Sequence, residues 1–372
     1  MLETWNIKPR SVVGHSSGEI AAAYSAGLLD RAGAIIAAFY RGRAALNRKK
    51  DVDGDVGMLA VGLGAEATSK FLEKHVGRAC IACFNSPSSV TVSGKQATLE
   101  ALREELVAAG HFARRLQVDL AYHSEFMSVI GQEYEKLFTS DDNFHPLDSE
   151  SAATSTGDVT WFSSVTKSKK TTPADASYWK TNMVSAVRFD EGLKALLEDD
   201  KAPKFLIEIG PSGALAGPVS QISKSLPAAI GGDVSYCASW SRGADAGKSL
   251  FDVAGRLFAA GAPIDMSVVN QYDGKERTIT DLPNYKWNHS VKYWHENAAS
   301  KDWRFRKYVA HDLLGSKVLG SSWHTPTWRS HLNVANVPFL MDHRMGEFVL
   351  RESIFLCLIV SGVVDTPKVA KC

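Results

Sequence analysis

Two hydrophobic periods divide the first part of the chain. Val12-Val13 is a short apolar run, and Glu19 to Ala26 follows it with the composition of a helix. Asp30 is placed to cap a second helix reaching about Ala45, with Ile35, Ala38 and Phe39 at helical spacing as its apolar face. Residues 55–118 change pattern. Met58-Leu59-Ala60-Val61 reads as a strand, Ala65 to His75 as a polar helix, and Cys80–Phe84 and Val90–Ser93 as two further strands. A charged helix, Ala97 to Ala109, and a last strand near Arg115–Val118 complete this stretch. Asn85-Ser86-Pro87-Ser88 is a turn by composition, free to face a cleft as well. Asp141 to Asp158, rich in Asp, Ser and Thr, reads as an exposed loop. The longest strongly apolar run, Ile354 to Val360 with a few neighbours, is too short to span a membrane.

Gly14-His15-Ser16-Ser17-Gly18 lies where the first apolar run gives way to a helix. A serine with glycine two places either side, at a strand-to-helix turn, has the pattern of a nucleophile elbow. Such a turn is sharp, so the serine backbone is strained and its neighbours must lack bulk. Its hydroxyl projects above the sheet at the positive end of the next helix, and the Ser17 amide is placed to stabilise an oxyanion. Arg41 falls near the C-terminal end of the second helix, where the helix dipole alone favours a surface arginine.

The run from Val12 to Tyr24, followed by Tyr40-Arg41-Gly42, resembles the acyltransferase domain of type I polyketide synthases, and more narrowly the fungal highly reducing class. Further stretches carry the resemblance: Gly57 to Gly64, Ala82 to Gly94, Ala121-Tyr122-His123-Ser124-Glu125-Phe126-Met127, Phe162 to Thr166, Tyr178-Trp179 with Asn182-Met183-Val184-Ser185, and Glu208-Ile209-Gly210-Pro211. It implies an α/β fold. Residues 1–50 and about 120–230 would form an α/β-hydrolase-like larger subdomain around a parallel sheet. The β-α-β-β-α-β order of residues 55–118 is the ferredoxin-like one, inserted in this family as a lid over the active cleft. Residues 231–305 resemble the linker that follows these acyltransferases, clearest at Asp281 to His289 and Tyr293 to Glu296; their aromatic density suggests a segment pinned onto a neighbouring domain. Residues 306–350, with His311-Asp312-Leu313-Leu314-Gly315 and Val337 to His343, resemble the opening of a hot-dog dehydratase domain, and residues 351–372 are an unrelated tail.

The resemblance also assigns roles. Ser16 matches the serine that attacks the thioester of an acyl-coenzyme A and carries the acyl group as an ester before passing it to the phosphopantetheine thiol of an acyl carrier protein. His123 matches the base, an imidazole able to take the serine proton and return it to the departing thiol. In the family a main-chain carbonyl orients that base, and the matching position is Asn182, so the path of the backbone matters rather than the side chain. Asp119, four residues before His123, is a rival orienting group. Arg41 matches a carboxylate clamp, since a planar guanidinium grips a carboxylate through two parallel hydrogen bonds. Tyr122, a bulky ring before the base, goes with malonyl rather than methylmalonyl, although Leu120 departs from the commoner residues at its position. The expected substrate is malonyl-CoA and the expected partners are a carrier protein and neighbouring ketosynthase and dehydratase domains, with no bound cofactor or metal.

Departures from the family pattern matter too. His343 matches the dehydratase base, but Glu347 stands where a glycine belongs, Gly346 is one place early, and the distant acidic partner has no room; His343 is therefore expected to be a relic. Nothing before the elbow matches the family's first strand with its Gly-Gln-Gly-type motif, which supplies a second oxyanion donor. Loss of one such donor costs roughly a hundred- to a thousand-fold in rate, and loss of the strand exposes a sheet edge. The chain on its own is expected to be poorly soluble or inactive. Two competing readings are a serine hydrolase or thioesterase, which shares the elbow, and a non-catalytic module that only docks neighbouring domains.

Composition narrows the field. With 372 residues, 45% hydrophobic and 22% charged, the chain suits a soluble protein of two domains. A net charge of +1 without a basic tract makes nucleic acid an unsuitable partner. Met1-Leu2-Glu3-Thr4-Trp5 does not open a signal peptide, and five cysteines give no disulfide framework, which fits a reducing cytoplasm. Cys80-Ile81-Ala82-Cys83 has redox or zinc-like spacing but sits in a strand-like run without a second pair, so buried packing is expected. His289 and His295 lack further ligands at metal spacing and read as aromatic packing.

Overall fold

The computed structural model describes residues 1–144 and 159–349, apart from 276, 278, 306–308, 323, 332, 334, 343 and 347. His343, Glu347, the 351–372 tail and most of the Asp141–Asp158 segment thus lie outside the described residues. The chain divides into two units, Met1–Arg277 and Thr278–Cys372.

The first unit opens with β1 (Ser11–Val13), α1 (Gly18–Ser25) and α2 (Arg31–Arg48). Then come β2 (Val56–Val61), α3 (Ala65–Leu72), β3 (Ala79–Ser86), β4 (Ser89–Lys95), α4 (Gln96–Ala108) and β5 (Ala113–Arg115). It continues through α5 (Ser128–Thr139), β6 (Thr160–Phe162), β7 (Lys169–Lys170), α6 (Ala176–Val184), α7 (Phe189–Leu197), β8 (Phe205–Glu208), α8 (Ala216–Ser225), β9 (Ser235–Ala238) and α9 (Ala246–Ala259).

The Asp30 carboxylate caps α2 by accepting the Gly33 amide at 2.7 Å. The buried residues of α2 are Gly33, Ala37 and Ala44, small enough to let it lie close to α5, whose Tyr134 hydroxyl donates to the Ala37 carbonyl at 2.8 Å. Ile35 and Phe39 are instead 64% and 62% exposed, so the apolar face expected from their spacing is not the core face. Close helix approach selected small side chains here, and apolar area misled.

The α/β architecture is built on mixed sheets rather than one parallel sheet. β1 pairs parallel with β6, Val12 opposite Trp161, and β7 adds antiparallel to β6. β8 and β9 form a separate parallel pair. A core containing Val13, Phe162, Phe189, Leu193, Leu206, Val219 and Ile222 reaches residues of both sheets, and α7 supplies its centre. Full burial of one such leucine or phenylalanine is worth about 1.5–3 kcal/mol, so α7 joins the two sheets where no strand does. A second core packs Ile20, Leu28, Met127, Tyr134, Phe138, Trp161 and Trp179 among α1, α2, α5 and α6.

Residues 56–115 fold as strand, helix, two strands, helix, strand, with the sheet order β3-β4-β2-β5 and every neighbouring pair antiparallel. Their own core holds Leu59, Val61, Val90, Val92, Leu99, Leu102 and Leu106. Backbone bonds from Phe84 to the Val187 carbonyl and from Val187 to the Ala82 carbonyl, each 2.8 Å, fasten β3 to the rest of the unit. Residues 232–277 also belong to this unit, where Ala254 and Val269 bury against Trp5.

In the second unit a helix spans Ala298–Phe305, and two short antiparallel pairs join Ser316–Lys317 to Trp328–Arg329 and Arg344–Met345 to Phe348–Val349. Tyr285, Trp287, Tyr293 and Trp294 are exposed.

Candidate active site

The turn after β1 puts Ser16 in the left-handed region, φ 57°. For a non-glycine residue that costs about 1–2 kcal/mol. Two features hold it there. Gly14 passes so close to α1 that a Cβ on it would lie 2.3 Å from the Glu19 amide nitrogen, so only glycine fits. The first helical turn then closes through Gly18 to His15 (2.9 Å) and Glu19 to Ser16 (3.2 Å).

His123 sits in the segment between β5 and α5, also left-handed at φ 63° and almost wholly buried. Its Nε2 lies 2.6 Å from Ser16 Oγ. Its own amide donates to the Met183 carbonyl at 3.0 Å, and Nδ1 faces the Ser185 carbonyl at 3.2 Å. A carbonyl can only accept, so Nδ1 carries the proton and Nε2 offers its lone pair to the serine hydroxyl. Burial, then the positive charge of Arg41 and the neighbouring His15, pulls the His123 pKa down to about 3, against the carbonyls of Ser185 and Asn182. The imidazole is therefore neutral at physiological pH, the state in which Nε2 can accept a proton.

Main-chain carbonyls of Ser185 and of Asn182, the expected position, both bear on the His123 ring. The direct bond from His123 goes to Ser185, just past the end of α6, and the Asn182 carbonyl contributes beside it. The last carbonyls of a helix have no partner within it, so this end presents several candidates. The Asn182 side chain has a task of its own. Its Nδ2 donates to the Ser16 carbonyl at 3.1 Å, and its Oδ1 accepts from Arg41 Nη1 at 2.9 Å. Asp119 is not an orienting group: it is exposed and paired with Lys49.

Arg41 is half-buried on α2, its Cζ 5.7 Å from the centroid of the Tyr122 ring, and burial lowers its pKa. No ion pair engages it among the described residues. Ser16, Ser17, Arg41 and Tyr122 line one cavity of about 870 Å³, together with Ile20 and Ala38. The Ser17 amide has no hydrogen-bond acceptor among the described residues.

Three residues escaped the sequence reading. Ser185 meets Nδ1 through its backbone carbonyl and leaves no side-chain signal. His15 bonds through Nε2 to Asn85 Oδ1 at 2.8 Å, so the end of β3 faces the elbow. Glu19, in the first turn of α1, is fully buried. Cys80 and Cys83 lie on β3, where burial pushes the Cys83 thiol up to about 12, opposite to what a redox nucleophile needs. No cluster of three potential metal ligands occurs among the described residues.

A serine hydroxyl held by a neutral imidazole, an unbonded amide beside it and a guanidinium in the same cavity can run covalent acyl transfer. The family model described as "Acyl transferase domain" matches residues 1–253. A highly reducing polyketide synthase of Eupenicillium brefeldianum is 49% identical over 351 residues, 93% of this chain and 14% of that protein. The highly reducing polyketide synthase claI of Penicillium crustosum is 48% identical over 355 residues, 94% of this chain and 15% of that protein. The crystal structure of the acyltransferase domain from module 8 of the salinomycin polyketide synthase aligns with a TM-score of 0.61 at 26% identity, covering 71% of this chain and 58% of that one. The chain belongs to the acyl transferase domain family, and it spans 14–15% of the length of these two curated relatives.

Proposed function

We propose that the chain moves a malonyl group from coenzyme A, through an ester on Ser16, to the phosphopantetheine thiol of an acyl carrier protein, as the acyltransferase part of a polyketide synthase. The observation that carries this reading is the Arg41 guanidinium, without an acidic partner among the described residues, in the cavity that Ser16 and Tyr122 share. A desolvated cation of that kind selects an anionic acyl group.

In the first half-reaction His123 Nε2 takes the Ser16 proton as Oγ attacks the thioester carbonyl. The Ser17 amide receives the oxyanion. The tetrahedral species collapses, the carbon–sulfur bond breaks, and His123 returns the proton to the coenzyme A thiolate. The second half-reaction runs the same steps in reverse with the carrier thiol. The Nδ1 contact with the main chain steadies the imidazolium that forms in between. Burial first, and then the charge of Arg41, hold the His123 pKa down. A substrate carboxylate on Arg41 cancels part of that field, so a bound diacid strengthens the base that will act on it.

The wider assignments belong to the same proposal. The β2–β5 sheet with its two helices serves as the ferredoxin-like lid, residues 231–305 as the linker and 306–350 as the opening of a dehydratase, with His343 a relic. The machinery needs no metal and no resident cofactor. Its partners are malonyl-CoA, the carrier protein and the neighbouring ketosynthase and dehydratase domains, in the cytoplasm. No helix among the described residues is long and apolar enough to cross a membrane.

The test is to load the chain with radiolabelled malonyl-CoA and follow the label with and without carrier protein or pantetheine. Transfer to the thiol in preference to release as free malonate supports the reading. Release unaffected by the thiol acceptor would make the protein a hydrolase.

A further inference from the structure

The geometry points to Glu19 as a positioning residue of this site: one buried carboxyl group fastens together the turn that carries Ser16 and the helix that carries the partners of His123. The inference rests on the Ser16–His123 reading above.

An acidic residue in the first turn of a helix is ordinarily exposed, where it complements the helix dipole. Glu19 is 0% exposed. A carboxyl group is costly to bury unless its oxygens are satisfied. Here they are met by donors from three separate segments. Oε1 accepts the Gly14 amide at 3.2 Å, the Ser164 amide at 3.0 Å and the Ser164 hydroxyl at 3.1 Å. Oε2 accepts the Tyr178 hydroxyl, which also lies 2.7 Å from Ser163 Oγ. Burial raises the Glu19 pKa, and the bonds from Ser164, Tyr178 and Ser163 oppose the rise.

Two of those segments lead to the residues that carry the reacting atoms. Gly14 precedes Ser16 by two residues. Tyr178 lies on α6 one turn before Asn182, whose side chain donates to the Ser16 carbonyl at 3.1 Å. The same helix gives the Met183 carbonyl that takes the His123 amide, and it ends at Ser185, whose carbonyl faces Nδ1. The nucleophile and the orienting group of the base are thus referenced to one carboxyl. The Glu19 side chain bonds neither reacting residue; its one link to Ser16 is the backbone bond from its amide to the Ser16 carbonyl at 3.2 Å. The link from the Glu19 carboxyl to the imidazole runs through the placement of α6. Position is stringent here, because a displacement of about 1 Å can cost roughly a hundredfold in rate.

The experiment uses the full chain with two variants. Glu19→Gln keeps the shape and one acceptor oxygen. Tyr178→Phe removes a single oxygen, cutting the arm from Glu19 to α6 together with that hydroxyl's contact to Ser163, and guards against a Glu19 variant that does not fold. The first readout is the ¹⁵N-imidazole spectrum of His123, which reports the tautomer without any turnover. The second is single-turnover acylation of Ser16 across malonyl-CoA concentrations. The wild-type chain should show the single Nδ1–H tautomer and both variants a mixture. The acylation rate at saturation should fall by about tenfold or more, with the half-saturating concentration changed by less than about threefold. A wild-type imidazole spectrum in both variants overturns the proposal. So does a loss confined to half-saturation, or a Tyr178→Phe chain that fails to fold. If no chain, wild type included, acylates Ser16, the acyltransfer reading fails while the imidazole spectra still decide the role of Glu19.

Discussion

Replacing Arg41 by alanine removes the cation from the cavity that Ser16 lines. A carboxylate held by two charge-assisted hydrogen bonds gains about 1.5–3 kcal/mol from each, part of which is offset by desolvation. A net loss of about 3–4 kcal/mol corresponds to roughly 10²–10³-fold in kcat/KM for malonyl-CoA. Acetyl-CoA has no carboxylate and should lose little. It can even gain, because Arg41 is one of the causes that hold His123 down to about 3, and its removal lets the base recover. Arg41→Lys keeps the charge but not the fork, so it should fall between the two. The assay is single-turnover acylation of Ser16 by each thioester, quenched and quantified by mass spectrometry. The signature is a collapse in the malonyl-to-acetyl ratio. Equal losses for both acyl groups would refute the reasoning, because they would mean that Arg41 supports the fold or the nucleophile and does not recognise the acid.

Three further outcomes follow from the site. The folded pKa of His123 lies below the usual 6.5, so the neutral base persists as pH falls; log kcat/KM should stay flat from about pH 8 to about pH 5, and a break at the ordinary histidine value would contradict the burial argument. Asp119→Asn removes only an exposed partner of Lys49 and should alter acylation by less than about twofold, whereas a loss approaching that of His123→Ala would restore Asp119 as the orienting group. Gly14→Ala drives a Cβ into the Glu19 backbone, so labelling of Ser16 by a fluorophosphonate should slow by at least about tenfold; wild-type labelling would mean that the turn has room the structure does not show.

What could be read in the sequence was whatever depends on short-range chemistry. The elbow is local: Gly14, Ser16 and Gly18 fall where a strand meets a helix, and the left-handed serine follows. The order of strands and helices over 56–115 is local for the same reason, since each element announces its own period and its own turn. The face that α2 buries was not legible, because Gly33, Ala37 and Ala44 carry little hydrophobic signal and win through close approach to Tyr134 and Phe138. Glu19 was invisible because its partners beyond the elbow, Ser164 and Tyr178, lie 145 and 159 residues away along the chain. Ser185 was missed because the backbone does the work. The expectation of one parallel sheet failed where α7, through Phe189 and Leu193, bridges two sheets that share no strand.

The most direct measurement is peptide mapping of the chain after a single turnover with malonyl-CoA. The account predicts an acyl ester on Ser16, discharged by pantetheine, and absent from His123→Ala over the same interval. A label on another residue, or one that forms undiminished without the imidazole, would contradict it.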